Sequence, residues 1–153
     1  MLETPHVMVG AAIATKIPNP LIAIPLAFAS HFVLEMVPHW NPHLNTETQK
    51  YGRPTQKSTI LVIIDCSLAL IGGTFIAYQA LPDTAHALTI LLASLASILP
   101  DLIEAPYFFL KAKNKIIEKW INLQKSIHND TSVVPGLLTQ YLTIFTALFW
   151  INS

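Results

Sequence analysis

Long apolar segments separated by short polar turns make up most of this sequence. The clearest is residues 59–81, which are 23 residues long and contain a single charged side chain, Asp65. A helix of about 20 mostly apolar residues crosses a hydrocarbon core of ~30 Å, so this segment is predicted to span a membrane. The other apolar segments are residues 7–17, 21–37, 85–99 and 137–151.

Residues 107–129 have a different pattern, because apolar and charged side chains are interleaved there. The charged members are Lys111, Lys113, Lys115, Glu118, Lys119 and Lys125. This pattern predicts an amphipathic helix that lies at a membrane surface or covers the domain. Residues 41–57 are polar, and we expect a loop there.

Together these segments predict an all-α fold. We expect an integral membrane bundle of about four or five apolar helices with one amphipathic surface helix, in a single domain over residues 1–153. Hydrophobic residues make up 52% of the chain and charged residues 12%, and the mean hydropathy is +0.49. Since soluble domains carry about 25% charged residues, the expected partner is a lipid bilayer. The alternative is a soluble helical protein whose apolar segments are all core, which the length of residues 59–81 disfavours.

The charged residues and the cysteine content exclude several classes of function. The 9 basic and 9 acidic residues cancel, so the overall charge shows no sign of nucleic-acid binding. Cys66 is the single cysteine, which rules out an intrachain disulfide framework and a CxxC metal motif.

The distribution of basic residues predicts an orientation. If residues 59–81 and 85–99 form a hairpin, the basic residues of segments 41–57 and 107–129 fall on one side of the membrane. The positive-inside rule makes that side cytoplasmic, and we expect a bacterial-type cytoplasmic membrane. Lys16 would lie near the opposite face, which counts against this topology.

The segment 30–40 contains the most informative group of ionisable residues. His31 and Glu35 are four positions apart and share one face of a helix. His39 follows Pro38, which ends the helix, so His39 is expected on the turn just beyond. Two imidazoles and a carboxylate on one surface suit zinc or a similar divalent metal. The alternative is a hydrogen-bonded His31–Glu35 pair that caps the bundle.

Other ionisable residues are expected at the same level of the bilayer. The full set of candidate metal ligands is His6, His31, Glu35, His39, Asp65, Asp101, Glu104 and His128. Ionisable residues in or beside membrane helices are costly, and they are usually paired or functional. Their convergence on one side therefore favours a site over scattered polar residues.

Several of these residues also have plainer explanations. Asp65 can form a structural pair with a histidine, Asp101 can cap a helix N-terminus, and Glu104 can interact with a helix dipole. His6 can be an ordinary terminal histidine, and His128 can be a solvated loop residue. Two further histidines are expected to be bystanders, His43 and His86.

Three short motifs resemble those of the membrane-bound metal-dependent hydrolase family. They are Pro5-His6-x3-Gly10 opening an apolar helix, Leu99-Pro100-Asp101 closing another, and a late His128 before the last span. The family typically has Asp-x-Asp-His after the proline and a late His-Arg-Gly-x-Thr-His-Ser. In this chain one acid has moved, to Glu104, and one histidine is missing. The resemblance implies a small helical membrane protein with a His and Asp metal site.

The stretch His31-Phe32-x2-Glu35-x2-Pro38-His39 is similar to a metal motif of the zinc-dependent phospholipase C and S1/P1 nuclease group. In that group the histidines and an aspartate bind a zinc cluster. Here Glu35 replaces the aspartate, and the gap between proline and histidine is one residue shorter. This similarity implies that zinc is the metal.

We therefore expect a membrane-bound hydrolase that uses one or two divalent ions, zinc first among them. An activated water would attack an ester or phosphoester, possibly a lipid-linked one, at the cytoplasmic membrane face. Glu35 is either a ligand or the catalytic general base. The alternative is a non-enzymatic membrane protein whose His, Asp and Glu residues form a structural polar or metal-binding network. The sequence leaves the oligomeric state open.

Overall fold

The computed structural model describes residues 1–112 and 114–153. Lys113, one of the lysines of the predicted amphipathic segment, lies outside the described residues. Within the described residues the chain forms seven α-helices and no β-strand. They are α1 (Glu3–Lys16), α2 (Pro20–Glu35), α3 (Leu44–Tyr51), α4 (Gln56–Gln79), α5 (Thr84–Phe109), α6 (Lys115–Ile127) and α7 (Val133–Asn152). The predicted all-α fold is confirmed.

Three helices of the described chain, α4, α5 and α7, are long and apolar enough to cross a membrane. Their outward faces carry large apolar side chains, such as Leu70, Phe75 and Phe145, which are 69%, 61% and 58% exposed. A soluble monomer rarely exposes a continuous apolar surface. These helices therefore suit a lipid environment.

The shortest apolar helix, α1, is the centre of the bundle. It packs against α2, α4, α5 and α7, and Ala11, Ala12 and Ala14 have no exposed surface. Gly10 lies against α5, where an added Cβ would be 2.9 Å from the carbonyl oxygen of Ala93. Small residues allow helix backbones to approach closely where no water drives association. As a result α1 is enclosed by longer helices.

Local capping sets where several helices begin. The side chain of Asn19 accepts a hydrogen bond from the backbone N–H of Leu21 at α2, and Asp83 accepts one from His86 at α5. Thr55 accepts one from Ser58 at α4. Each bond satisfies one of the unpaired N–H groups of a helix end.

Several predicted boundaries are wrong. The amphipathic helix predicted over 107–129 is α6, Lys115–Ile127, because residues 107–109 belong to the end of α5. Two further errors concern α5 and α3.

The apolar run 85–99 was expected to end at Pro100, but α5 continues through Pro100 and Pro106 to Phe109. Proline is tolerated inside membrane helices, although Pro100 has no N–H to donate to the carbonyl oxygen of Ala96, four residues earlier. Trp120 Nε1 donates to the carbonyl oxygen of Pro100 itself at 3.0 Å, and this bond joins α6 to α5.

The other error concerns segment 41–57. The polar sequence predicts a loop there, but the segment contains the helix α3. Glu47 on α3 accepts hydrogen bonds from the backbone and side chain of Thr55 and from the hydroxyl of Ser58. These bonds join α3 to the start of α4, a tertiary contact that the local pattern does not reveal.

Candidate metal centre

Four segments bring ionisable side chains together at one end of the bundle. His6 lies near the start of α1, His31 and Glu35 lie in the last turns of α2, and Asp101 lies in the last third of α5. His128 follows the end of α6.

The turn after α2 is fixed by backbone pairing with the chain after α6. The N–H of His39 donates to the carbonyl of Asn129 at 3.0 Å, and the N–H of Asn129 donates to the carbonyl of Glu35 at 3.1 Å. His39 and Asp130 form an isolated parallel β-bridge. This pairing holds the residue after Pro38 beside His128, which the sequence pattern left undetermined.

Among the described residues, one group that can hold a metal ion consists of His6, His31 and Asp101. The two imidazole rings are stacked with centroids 4.2 Å apart, and His31 Nε2 lies 3.7 Å from Asp101 Oδ1. The Nδ1 nitrogen of His31 is 2.9 Å from the carbonyl oxygen of Ser97. An Nδ1–H donated to that carbonyl orients the ring and directs Nε2 into the site.

A second such group consists of Glu35, His39 and His128. Glu35 Oε2 is 2.8 Å from His128 Nδ1, and Glu35 Oε1 is 3.6 Å from His39 Nε2. Glu35 Oε1 is also 3.3 Å from His6 Nε2 and contacts the amino group of Met1. Glu35 therefore connects the two groups.

The site is closed to solvent on its inner side. His6, His31 and His39 have no exposed surface, and Glu35 is 5% exposed. Within the described chain, His6 Nδ1 and His39 Nε2 are buried without a hydrogen-bond partner. Buried polar atoms are nearly always paired with protein, water or an ion, so these nitrogens fit the donors of an ion site.

The charge states of Glu35 and His39 suit ligation. Burial opposes ionisation of Glu35, but its hydrogen bonds with His128 and His6 hold its pKa well below the usual range. Burial lowers the pKa of His39 to about 4. At neutral pH the carboxylate is therefore charged and the imidazole is neutral, which are the forms that bind metals.

Asp65 and Glu104, both expected as ligands, are in neither group. The carboxylate of Asp65 accepts hydrogen bonds from the backbone N–H groups of Glu3 and Thr4, at 2.6 and 3.2 Å, and from the Thr4 hydroxyl. It thus caps the N-terminus of α1 from a neighbouring helix. Glu104 Oε1 accepts a hydrogen bond from Gln124 Nε2 at 3.1 Å, beside the first group.

The structure also bears on the simpler roles that the sequence suggested for Asp101, His86 and His43. Asp101 lies inside α5, so the expectation that it caps a helix N-terminus is wrong. His86 lies in the first turn of α5, and its Nε2 is 3.0 Å from the carbonyl oxygen of Ala14. His43 is exposed and belongs to neither metal group of the described residues.

Gln124 is a site residue that the sequence interpretation missed. Its Nε2 donates to Asp101 Oδ1 at 3.0 Å as well as to Glu104, and its Oε1 is 3.0 Å from His31 Nε2. It is 6% exposed on α6. A polar residue on the apolar face of an amphipathic helix, in line with Trp120 and Ile121, was the signal available in the sequence.

A cavity of about 470 Å³ adjoins both groups. Its polar wall includes Glu35, Asp101, Glu104 and His128, and its apolar wall is formed by α4, α5 and α6. A small molecule can therefore reach the carboxylates and His128 from this cavity, whose size is ordinary for a ligand pocket.

Comparison of the chain with protein-family models, with curated proteins and with solved structures finds no match.

Proposed function

We propose that this protein is a membrane-bound metal-dependent hydrolase of esters or phosphoesters. The observation that carries the proposal is the pair of adjacent groups, each with two histidines and one carboxylate, beside an open cavity. The buried ring nitrogens of His6 and His39, which have no partner in the described chain, support it independently.

The donor set favours zinc. Two imidazoles and a carboxylate leave a coordination position open, as in hydrolytic zinc sites, although the same set also binds iron. A divalent ion held there lowers the pKa of a coordinated water towards ~7 and polarises the ester. One or two ions fit, since the two groups are separate and Glu35 lies between them.

The contacts of Glu35 favour a ligand role over that of general base. Three imidazoles, those of His6, His39 and His128, lie within 3.6 Å of its oxygens. Glu104 borders the cavity and belongs to neither group, so it is better placed to accept the proton of the attacking water. A positioned carboxylate base of this kind contributes about 10²–10⁴-fold to rate.

We place the site on the cytoplasmic side of a bacterial-type membrane. Basic residues cluster at the site end of the bundle, from α3 to the first turn of α4 and from the chain after α5 to α6: Lys50, Arg53, Lys57, Lys111, Lys115, Lys119 and Lys125. Lys16 ends α1 at the other end. This asymmetry follows the positive-inside rule. Membership of the membrane-bound metal-dependent hydrolase family is part of the same proposal.

A hydrolysis screen with zinc or manganese tests the proposal. We expect purified protein in detergent to cleave a p-nitrophenyl phosphate ester or a lipid phosphoester, and Glu104→Gln to lower kcat by about 10²-fold or more while the metal stays bound. Glu118→Gln is the matched control, because Glu118 is exposed on α6. Equal rates in the wild type, Glu104→Gln and a metal-free sample would refute the proposed catalysis.

A second candidate function is a structural polar or metal-binding network without catalysis. The observation in its favour is that Gln124 joins His31, Asp101 and Glu104 in one hydrogen-bonded cluster. In that case a chelator would lower Tm, while no ester would be hydrolysed with or without added zinc.

A further inference from the structure

The cavity beside the two metal groups is divided into a polar end and an apolar side. Carboxylates and His128 form the polar end. The apolar side consists of Val62 on α4, Leu102, Phe108 and Phe109 on α5, and Ile121 on α6. A cavity with this division suits an amphiphile, whose polar and apolar parts need different surroundings.

The apolar side of the cavity reaches the surface of the candidate membrane spans. Leu102 is 43% exposed and Phe109 is 40% exposed, and both line the cavity. Cys66 on α4 is exposed and lines it as well. Because α4 and α5 are long enough to span a membrane, a hydrocarbon chain can leave the cavity between them directly into the acyl region.

The charges around the cavity determine which head group fits. Among the described lining residues the acids are Glu3, Glu35, Asp65, Asp101, Glu104 and Asp130. Lys125 is the one lysine or arginine among those lining residues, and it lies one helical turn before His128. An anion would be repelled by the carboxylates alone, but divalent ions in the two groups offset that charge. Lys125 then adds a cation at the rim.

We propose that the cavity binds an anionic lipid phosphoester, with its phosphate between the metal groups and Lys125 and its hydrocarbon chain along Leu102 and Phe109. This inference rests on the proposed function, because the phosphate needs the divalent ions. It adds the substrate class: a phosphoester attached to a long chain that is partly in the bilayer. A short soluble phosphoester would fill only the polar end.

The single cysteine makes the cavity directly observable. Cys66 is the one thiol of the chain, so N-ethylmaleimide labels the cavity wall at one known position. The wild-type protein in lipid nanodiscs, loaded with zinc, is labelled with and without dodecylphosphonate, a non-hydrolysable long-chain anion. Dodecylphosphonate at a concentration that fills about nine tenths of the sites should slow the labelling of Cys66 by about tenfold, because only the empty sites react.

Three comparisons make the test specific. Ethylphosphonate at the same concentration should protect little, because it lacks the chain. Omitting zinc should abolish protection by dodecylphosphonate. The double variant Cys66→Ala/Leu70→Cys moves the thiol one turn along α4. Position 70 is 69% exposed and lies outside the cavity lining, so dodecylphosphonate should not slow labelling there.

Lys125→Ala should raise the dodecylphosphonate concentration that is needed for half-maximal protection of Cys66 by about tenfold. This is the loss of affinity expected when one charge-assisted contact is removed. Lys119→Ala, an exposed lysine of the same helix outside the cavity lining, should have no effect.

Equal protection by the two phosphonates, protection without zinc, or equal protection at the Leu70→Cys thiol would overturn the inference. If zinc binds and a short ester is hydrolysed but Cys66 is never protected, the inference fails while the proposed function stands. If no zinc is bound, the proposed function itself fails. Metal analysis of each sample separates these outcomes.

Discussion

Burial governs the chemistry of the individual side chains at this site. His6, His31 and His39 have no exposed surface, so their ring nitrogens pair with protein or with a ligand. The Nδ1 nitrogen of His31 meets this condition through the carbonyl oxygen of Ser97. His6 Nδ1 and His39 Nε2 do not meet it within the described chain. The case for an ion is therefore strongest at these two atoms.

Asp65 is the residue whose expected and observed surroundings differ most. Its position in an apolar span predicted a ligand or a histidine partner, but its carboxylate caps α1. An intramembrane charge needs a partner, and the sequence reveals that need without revealing which atoms meet it. The capping groups are more than 60 residues away in the chain.

The role of Asp65 is testable by substitution. Asp65→Ala leaves the backbone N–H groups of Glu3 and Thr4 without their acceptor, which costs about 1–3 kcal/mol. We expect a lower Tm with an unchanged metal content per folded chain. Asp65→Asn keeps one oxygen acceptor and should lose less stability. Loss of the metal in Asp65→Asn, with Tm unchanged, would instead make Asp65 a ligand.

At the scale of elements, the site depends on how closely α1 approaches α5. An added Cβ on Gly10 would lie 2.8 Å from Ser97 Oγ and 2.9 Å from the Ala93 carbonyl oxygen. Backbone atoms cannot move aside cheaply, and Ser97 also holds the ring of His31. The stacking of His6 on His31 is therefore coupled to a glycine one turn away.

We expect Gly10→Ala to destabilise the fold by about 1–3 kcal/mol, the usual cost of overpacking, and to reduce metal binding. Gly72→Ala is the matched control. Its Cβ would meet the terminal methyl group of Met8, which is flexible and can move away. Thermal unfolding in detergent with metal analysis tests both variants, and equal stability of the two would contradict the close α1–α5 packing.

The helices themselves were largely predictable from the apolar runs, because period and length are properties of the local sequence. The errors have tertiary causes. Pro100 does not end α5, which is packed against α1, α2 and α4, and α3 forms where Glu47 joins the start of α4. Local sequence does not specify such contacts.

At the scale of the whole molecule, the ionisable groups lie towards one end of a bundle whose outer surface is apolar. Asp65 lies nine residues into α4, or about 14 Å from its first residue at 1.5 Å per residue. Charge patterning and the turns predicted that the candidate residues share one side of the bilayer, and that side stays a prediction. The division into two groups arises from the His39 to Asp130 pairing and from Gln124, which only the folded chain reveals.

If the two groups hold divalent metal, as proposed, metal analysis of the purified protein will detect it. Protein purified in detergent without chelator is compared with His6→Ala/His39→Ala, which removes one donor from each group, and with His43→Ala as an exposed control. We expect one or two divalent ions per chain, zinc foremost, in the wild type and the control, and a large loss in the double variant. A wild-type protein that binds no divalent ion, even after incubation with zinc, would contradict the proposed metal centre.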